Sequence, residues 1–285
     1  MVKVLSVQSH VVFGHVGNRA AVFPLERMGI EVLPLNTVQL STHTGYGQSR
    51  GMIFPASHIR ELWSGLLASG TVSGCHAVLS GYLGSPETGQ AILDMLSDLR
   101  KEDPSVLYFC DPVMGDRERG LYVRPEIPSF FVRAMSHATI VKPNQFEAEI
   151  LSGMRIGSLA ELKSACSAIL STGPRILLIT SLEALDPPED RIDSLLATEE
   201  GAWMLRTPRF GFDIEPHGAG DLVSAIFLGA YLKSRQPVPA FERCLCAVHE
   251  VLKATEARGG RELALIEAQE ALVSEECPFA AERVW

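Results

Sequence analysis

The sequence predicts an α/β fold built on a mostly parallel sheet, and three observations predict it. Brief runs rich in Val, Ile and Leu recur along the chain, and continuous apolar runs are what a sheet covered on both faces requires. Helix-length segments separate these runs, which is the alternation of a parallel sheet with crossover helices. The 285 residues are 46% hydrophobic and 21% charged, an ordinary globular composition that excludes a disordered chain. A chain of this size buries about three quarters of its unfolded surface, so it has a real core. No repeat, low-complexity tract or linker interrupts it, and residues 1–285 read as one domain.

Each element follows in order. Val2–Val7 is the first strand and Arg19–Met28 the first helix. Val32–Leu35 is a second, weaker strand, followed by a helix over Ser57–Ala68. Ala77–Ser80, Val106–Cys110, Thr139–Val141 and Ile176–Thr180 are further strands. The intervening helices are Pro86–Lys101, Asn144–Leu151 and Leu159–Leu170. Arg191–Thr198 and Ala202–Thr207 flank Glu199-Glu200-Gly201, the pattern of a hairpin with a short glycine-containing loop. The segment Asp186-Pro187-Pro188-Glu189-Asp190 reads as a surface loop. From Gly220 onward, Leu222, Ala225, Ile226, Gly229 and Ala230 form the stripe of a helix packed along one face. Phe241–Ala257 and Leu263–Leu272 read as two more helices.

Charge and cysteine content narrow the function. Lys plus Arg number 25 and Asp plus Glu 34, a net charge of −9. That sign argues against a general nucleic-acid or anionic-membrane binder, though not against a local basic pocket. Met1–Val7 is too short for a signal sequence, and no apolar stretch approaches a spanning length of about 20 residues. The 6 cysteines are scattered without a C-x-x-C pair, so the expected state is a reduced, soluble, cytoplasmic protein.

Ligands of open parallel sheets bind outside the carboxyl ends of the strands. Polar residues stand at five such ends: Ser9 and His10, Tyr82 beside Gly81, Asp111, Asn144 with Glu147, and Ser181. The sharpest element is His217-Gly218-Ala219-Gly220-Asp221, directly before the striped helix. Its glycines let the backbone approach a ligand, and the free N–H groups of a first helical turn suit a phosphate. Asp221 can cap the helix, or it can take a proton from a hydroxyl held beside the phosphate. Other signatures fail. There is no G-x-x-x-x-G-K-[ST] loop and no strict G-x-G-x-x-G. Gly47-Gln48-Ser49-Arg50-Gly51 matches G-x-S-x-G but lacks the preceding strand of a nucleophile elbow. Cys244 and Cys246 lie two apart on a helix and share no face, so they read as core or surface thiols.

A set of collinear blocks carries a resemblance. Gln8-Ser9-His10-Val11-Val12-Phe13-Gly14-His15-Val16-Gly17-Asn18 looks like the opening of pyridoxal kinases. So do Leu35–Gln39, Thr42–Gly47, Leu79–Gly84, Cys110–Asp116, Lys142–Glu149 and Ile179–Ser181, closing with the Gly-Ala-Gly-Asp element. The chain is similar to the bacterial pyridoxal kinase family within the ribokinase-like superfamily.

The resemblance implies a three-layer α/β/α fold, a homodimer, and transfer of the ATP γ-phosphate to the 5′-hydroxyl of pyridoxal. It implies Mg²⁺ and often a K⁺-type monovalent cation. By matching positions, Asp221 is the general base, and the N–H groups of Gly218, Ala219 and Gly220 hold the transferring phosphoryl oxygens. Ser9 and Thr44 meet the pyridine substituents, beside Gly45, and Tyr82 covers the ring. Asp111, Asp116, Asn144 and Glu147 manage Mg²⁺–ATP, Thr180 and Ser181 contact phosphates, and Thr207, Pro208, Arg209 and Phe210 line the nucleotide site. His10, His15 and His43 are structural or ring-lining. Three positions depart from relatives. Ala219 stands where Thr or Val is often found, which matters little to a site that works through backbone N–H groups. Gly45 replaces the glutamine of some bacterial members, which leaves the ranking of pyridoxal, pyridoxamine and pyridoxine open. Lys142 stands where Thr or Ala is common, and can supplement or replace a cation at the nucleotide site. The competing readings are a kinase of another hydroxymethyl heterocycle or sugar, and a non-catalytic vitamer-binding protein.

Overall fold

A computed structural model of the chain describes residues 1–285 apart from Ala184 and Asp186. In chain order the strands are β1 (Lys3–Val11), β2 (Glu31–Leu40), β3 (Gly51–Ile53), β4 (Ala77–Ser80), β5 (Leu107–Cys110), β6 (Gly115–Asp116), β7 (Gly120–Leu121), β8 (Ile140–Val141), β9 (Ile176–Leu182), β10 (Arg191–Thr198), β11 (Gly201–Pro208) and β12 (Glu282–Arg283). The α-helices are α1 (Asn18–Arg27), α2 (Ala56–Ala68), α3 (Pro86–Glu102), α4 (Ile127–Ala134), α5 (Gln145–Ser152), α6 (Leu159–Ser171), α7 (Ala219–Ser234) and α8 (Pro237–Arg258).

Among the described residues one 10-stranded sheet runs β12-β11-β10-β9-β8-β5-β4-β1-β2-β3, and β6 and β7 form a separate ribbon. The stretch from β2 through β1, β4, β5 and β8 to β9 is parallel throughout. The edges, β3 on one side and β10 to β12 on the other, are antiparallel. Successive strand residues face opposite sides, and the core divides accordingly. Leu5, Val7, Val78 and Tyr108 pack with α2, α3, α4, α5 and α6. Val4, Ala77, Leu79 and Phe109 pack with α1, α7 and α8. Full burial of each Val, Leu or Phe among them is worth about 1.5–3 kcal/mol over exposure. The sheet is therefore the middle layer of an α/β/α stack. No helix among the described residues is long and apolar enough to cross a membrane.

The apolar runs mark the strands, but several elements differ from expectation. β2 continues to Leu40, because a register shift after Gln8 keeps its distal half paired with β1. β3 and α4 were not read from the sequence. β3 is three exposed residues held by pairing to β2, and α4 is a short helix starting at Ile127-Pro128. Helix α7 is not a one-face helix: every residue from Leu222 to Ala230 is buried, because α1 and α8 close on it from both sides. Leu263–Leu272 is not a helix but a chain of turns. Leu263, Ala264 and Leu265 are buried in succession, and the Ala264 N–H is taken by Thr255 Oγ1 at 2.9 Å. The expected reduced cysteine set is also corrected. Cys246 and Cys277 are disulfide-bonded, while Cys75, Cys110, Cys166 and Cys244 are free and buried. Of the expected loop, Asp186 lies outside the described residues, and Pro187–Asp190 leads into β10.

The chain leaves β1 toward β2 on one side, whereas β4 pairs with β1 on the other. This reversal of strand order, at the carboxyl ends of β1 and β4, is where open α/β sheets place ligands.

Candidate active site

Helix α7 aims its N-terminus at this crevice. Its cap, Gly218, has φ 92°, and a Cβ there would sit 1.8 Å from the His15 carbonyl oxygen, so only glycine fits. The first intrahelical bond runs from the Leu222 N–H to the Gly218 carbonyl at 2.9 Å. The N–H groups of Ala219, Gly220 and Asp221 precede it and carry the positive end of the helix dipole.

Asp221 stands half-buried in the first turn of α7. Its Oδ2 accepts the Gly17 N–H at 2.8 Å, and its Oδ1 faces Gly81, where an added Cβ would lie 3.6 Å away. It therefore lies between the segment after β1, which carries Gly17, and the segment after β4, which carries Tyr82; Ser9 and His10, expected just past the first strand, lie inside β1, because the strand runs on to Val11 in register with β2. Burial and the nearby Asp111 charge raise its carboxyl to about 6, against the Gly17 N–H and Lys142, which lower it. It is a carboxylate at neutral pH with appreciable basicity.

Beneath the glycine loop lies a buried ion pair. Asp111 follows β5 and is 1% exposed; Lys142 follows β8 and is 4% exposed. Lys142 Nζ is 2.8 Å from Asp111 Oδ2 and donates to the Gly220 carbonyl at 3.2 Å. Ser224 Oγ, one turn along α7, donates to Asp111 Oδ2 at 2.7 Å. Burial pulls the Lys142 ammonium down, but the charge and hydrogen bond of Asp111, with the Glu147 and Asp221 charges, more than offset this and raise it above the usual lysine value. The ion pair joins the ends of β5 and β8 to the first turn of α7.

Asn144 and Glu147 form a capping box at the start of α5: Glu147 N–H donates to Asn144 Oδ1 at 2.8 Å, and Asn144 N–H to Glu147 Oε2 at 2.9 Å. Glu147 Oε1 also accepts the Met114 N–H at 2.8 Å, and Asn144 Nδ2 donates to the Gly115 carbonyl at 2.8 Å. Burial and Asp111 raise the Glu147 carboxyl to about 7. Asp116, on β6, is turned to Arg119. The four expected Mg²⁺ residues thus already have protein partners. Among the described residues no three His, Cys, Asp or Glu side chains form a metal-binding cluster. Yet Asp111, Glu147 and Asp221 outnumber Lys142, leaving the rim acidic. This donor set fits Mg²⁺ carried in on phosphates and water, which is its usual mode, rather than a cage of protein ligands.

The remaining expected residues are spread along the rim. Thr44 and Gly45 lie in an exposed 3₁₀ turn after β2. Thr180 and Ser181 end β9, with Ser181 at φ 54° and the Thr180 N–H on the Pro143 carbonyl at 3.1 Å. Thr207 and Pro208 end β11, the Arg209 N–H meets the Asp190 carbonyl at 2.8 Å, and the Phe210 ring lies 5.0 Å from His249.

Sequence reasoning missed one contact here. The His43 and His217 rings lie 3.8 Å apart, joining the Thr44–Gly45 turn to the glycine loop. Burial, then His217, depresses His43 to about 4, so it is neutral at physiological pH. His217 next to Gly218 was a signal for this. A ring facing the loop from 174 positions upstream was not.

The family model described as phosphomethylpyrimidine kinase matches residues 53–264. Pyridoxal kinase PdxY of Rubrobacter xylanophilus is 45% identical over 283 residues, covering 99% of this chain and 97% of that protein. The PdxY of Aliivibrio fischeri is 44% identical over 288 residues, covering 100% of both. Pyridoxal kinase from Leishmania donovani, solved in complex with ADP and pyridoxamine, superposes with a TM-score of 0.93 at 27% identity over 100% of both chains. Aligned end to end with such relatives, and folded as they are, the chain belongs to the pyridoxal kinase family.

Proposed function

We propose that this chain transfers the γ-phosphoryl group of ATP to the 5′-hydroxyl of pyridoxal, giving pyridoxal 5′-phosphate in vitamin B6 salvage. One observation carries the reading: a carboxylate and a row of N–H groups share the first turn of α7 at the crevice between β1 and β4. The relatives are named as pyridoxal kinases, and one is solved with ADP and a vitamer.

In the proposed reaction the hydroxyl oxygen attacks the γ-phosphorus. The bond from that phosphorus to the β–γ bridging oxygen breaks, ADP leaves, and the hydroxyl proton passes to Asp221. The N–H groups of the Gly218–Ala219–Gly220 loop face the charge on the transferring group. Removing one such donor typically costs about 2.7–4 kcal/mol. Phosphoryl transfer leaves the protein mostly alignment and charge stabilisation to supply. Mg²⁺ on the nucleotide would neutralise phosphate charge, with Asp111, Glu147, Asn144 and Asp116 meeting it through water. Ser9, Thr44 and Gly45 would line the pyridine side and Tyr82 would cover the ring. Thr180, Ser181 and Thr207–Phe210 would line the nucleotide side. We read residues 1–285 as one cytoplasmic kinase domain; a sheet that takes strands from both ends of the chain supports a single unit. Exposed Val12, Phe13, Met52 and Ile53 support a homodimer.

The test is ADP release with pyridoxal, pyridoxamine and pyridoxine under saturating ATP and Mg²⁺. Sustained turnover with at least one vitamer is expected. Background rates with all three would favour a vitamer-binding protein instead.

A further inference from the structure

We propose that Lys142 is a tethered monovalent cation, its ammonium filling an oxygen-lined position between Asp111 and the Gly220 carbonyl, so that phosphoryl transfer needs no added K⁺-type ion. The proposal rests on the kinase reading above.

The position has the donors of a small cation site. A buried carboxylate oxygen, Asp111 Oδ2, lies 2.8 Å from Nζ, and a main-chain carbonyl, that of Gly220, lies 3.2 Å away. Ser224 Oγ touches both of these oxygens, at 2.7 and 3.1 Å. Ser224 thus braces the two oxygens rather than meeting the ammonium. Carboxylate and carbonyl oxygens are hard ligands suited to alkali ions, and an ammonium group is close to K⁺ in size and charge. The fit is close on the α7 side: a Cβ on Gly220 would come within 3.1 Å of Nζ. A free ion cannot share this position with the ammonium. The K⁺-type ion that the family resemblance implies therefore does not fit at Asp111, because the chain already supplies the charge.

The location gives the charge a task. Gly220 ends the loop whose N–H groups face the crevice, and its carbonyl belongs to the peptide that carries the Asp221 N–H. A cation on its carbonyl fixes that peptide from below and leaves its other face to the ligand. The same charge offsets Asp111, which would otherwise stand buried and unpaired beneath the loop. Lys142 is thus a positioning residue: it touches the loop and the buried carboxylate, not the reacting atoms.

The test compares K⁺ with tetramethylammonium, which is too large for the position, at equal ionic strength. For the unaltered protein, ADP release and thermal midpoint should change less than about twofold and negligibly, respectively. In Lys142→Thr, which opens the position, activity should fall by about 100-fold in tetramethylammonium, the usual cost of losing one preorganised electrostatic contact. K⁺ or NH₄⁺ should restore it about tenfold or more and raise the thermal midpoint. Lys142→Met, which fills the space without charge, should show no rescue. Activation of the unaltered enzyme by K⁺ of about tenfold would overturn the proposal, as would a folded Lys142→Thr protein indifferent to K⁺. Anomalous density for Rb⁺ at Asp111 in crystals of the unaltered protein would overturn it too. This arm and the thermal arm read out even if no vitamer is phosphorylated, and the unaltered protein decides the matter if a variant does not fold.

Discussion

Asp221→Asn should make this protein more stable as it makes it less active. Burial and the Asp111 charge raise the Asp221 carboxyl from 3.8 to about 6. At about 1.4 kcal/mol per pKa unit, keeping it ionised in the folded chain at neutral pH costs on the order of 3 kcal/mol. Because the folded-state value lies above the unfolded one, the folded protein keeps this proton between about pH 4 and 6 while the unfolded chain has lost it. Stability from this group is therefore greatest below about pH 4 and falls as pH rises through about 6. The asparagine removes the ionisation cost. Its amide oxygen can still accept the Gly17 N–H at 2.8 Å, though it forfeits the attraction of Lys142. Urea unfolding near neutral pH should therefore favour the variant by about 1–3 kcal/mol, and the gap should close as pH falls toward about 4. A variant less stable than the parent at neutral pH, or a gap indifferent to pH, would refute the electrostatic reasoning.

Other expectations follow from single contacts. Gly218→Ala forces a side chain into φ 92° and against the His15 carbonyl; a loss of about 1–3 kcal/mol in unfolding free energy is expected, with ADP release lowered further than stability alone explains. Glu147→Ala removes the acceptor for the Met114 and Asn144 N–H groups and should cost about 2–4 kcal/mol, whereas Glu147→Gln should keep most of the fold, as thermal midpoints of the pair would show. Cys246 and Cys277 are joined across a sequence separation of 31. Alkylation of unfolded protein without reductant should label only the other cysteines, and Cys277→Ser should cost about 3–4 kcal/mol on the chain-entropy estimate.

What could be read in the sequence was whatever depends on local periodicity or on a compact motif. Ala77–Ser80 and Ile176–Thr180 announced themselves because a strand covered on both faces must be apolar throughout. The start of α7 was legible because glycines before a helix have few other uses. Elements that exist through pairing were not: β3 is three exposed residues held by β2. The apolar content of Leu263–Leu272 looks helical, but Leu263, Ala264 and Leu265 are buried in succession rather than along one helical face, and the segment runs as turns. At the site, the residue types were visible while their partners were not. Lys142 was read as a charge available to a nucleotide, and only the packing of β5, β8 and α7 turns it onto Asp111 and Gly220. Asn144 and Glu147 carried a legible helix-start signal, and the structure engages both in that local role.

The central claim is that Asp221 takes the proton of the accepting alcohol from the start of α7. Its most direct test is single-turnover phosphoryl transfer by Asp221→Asn, with pyridoxal and ATP binding measured on the same preparation. Binding within about threefold of the parent and transfer slowed by about 100-fold or more are expected, since a positioned general base contributes about 10²–10⁴. Transfer within a few fold of the parent at equal occupancy would contradict the account.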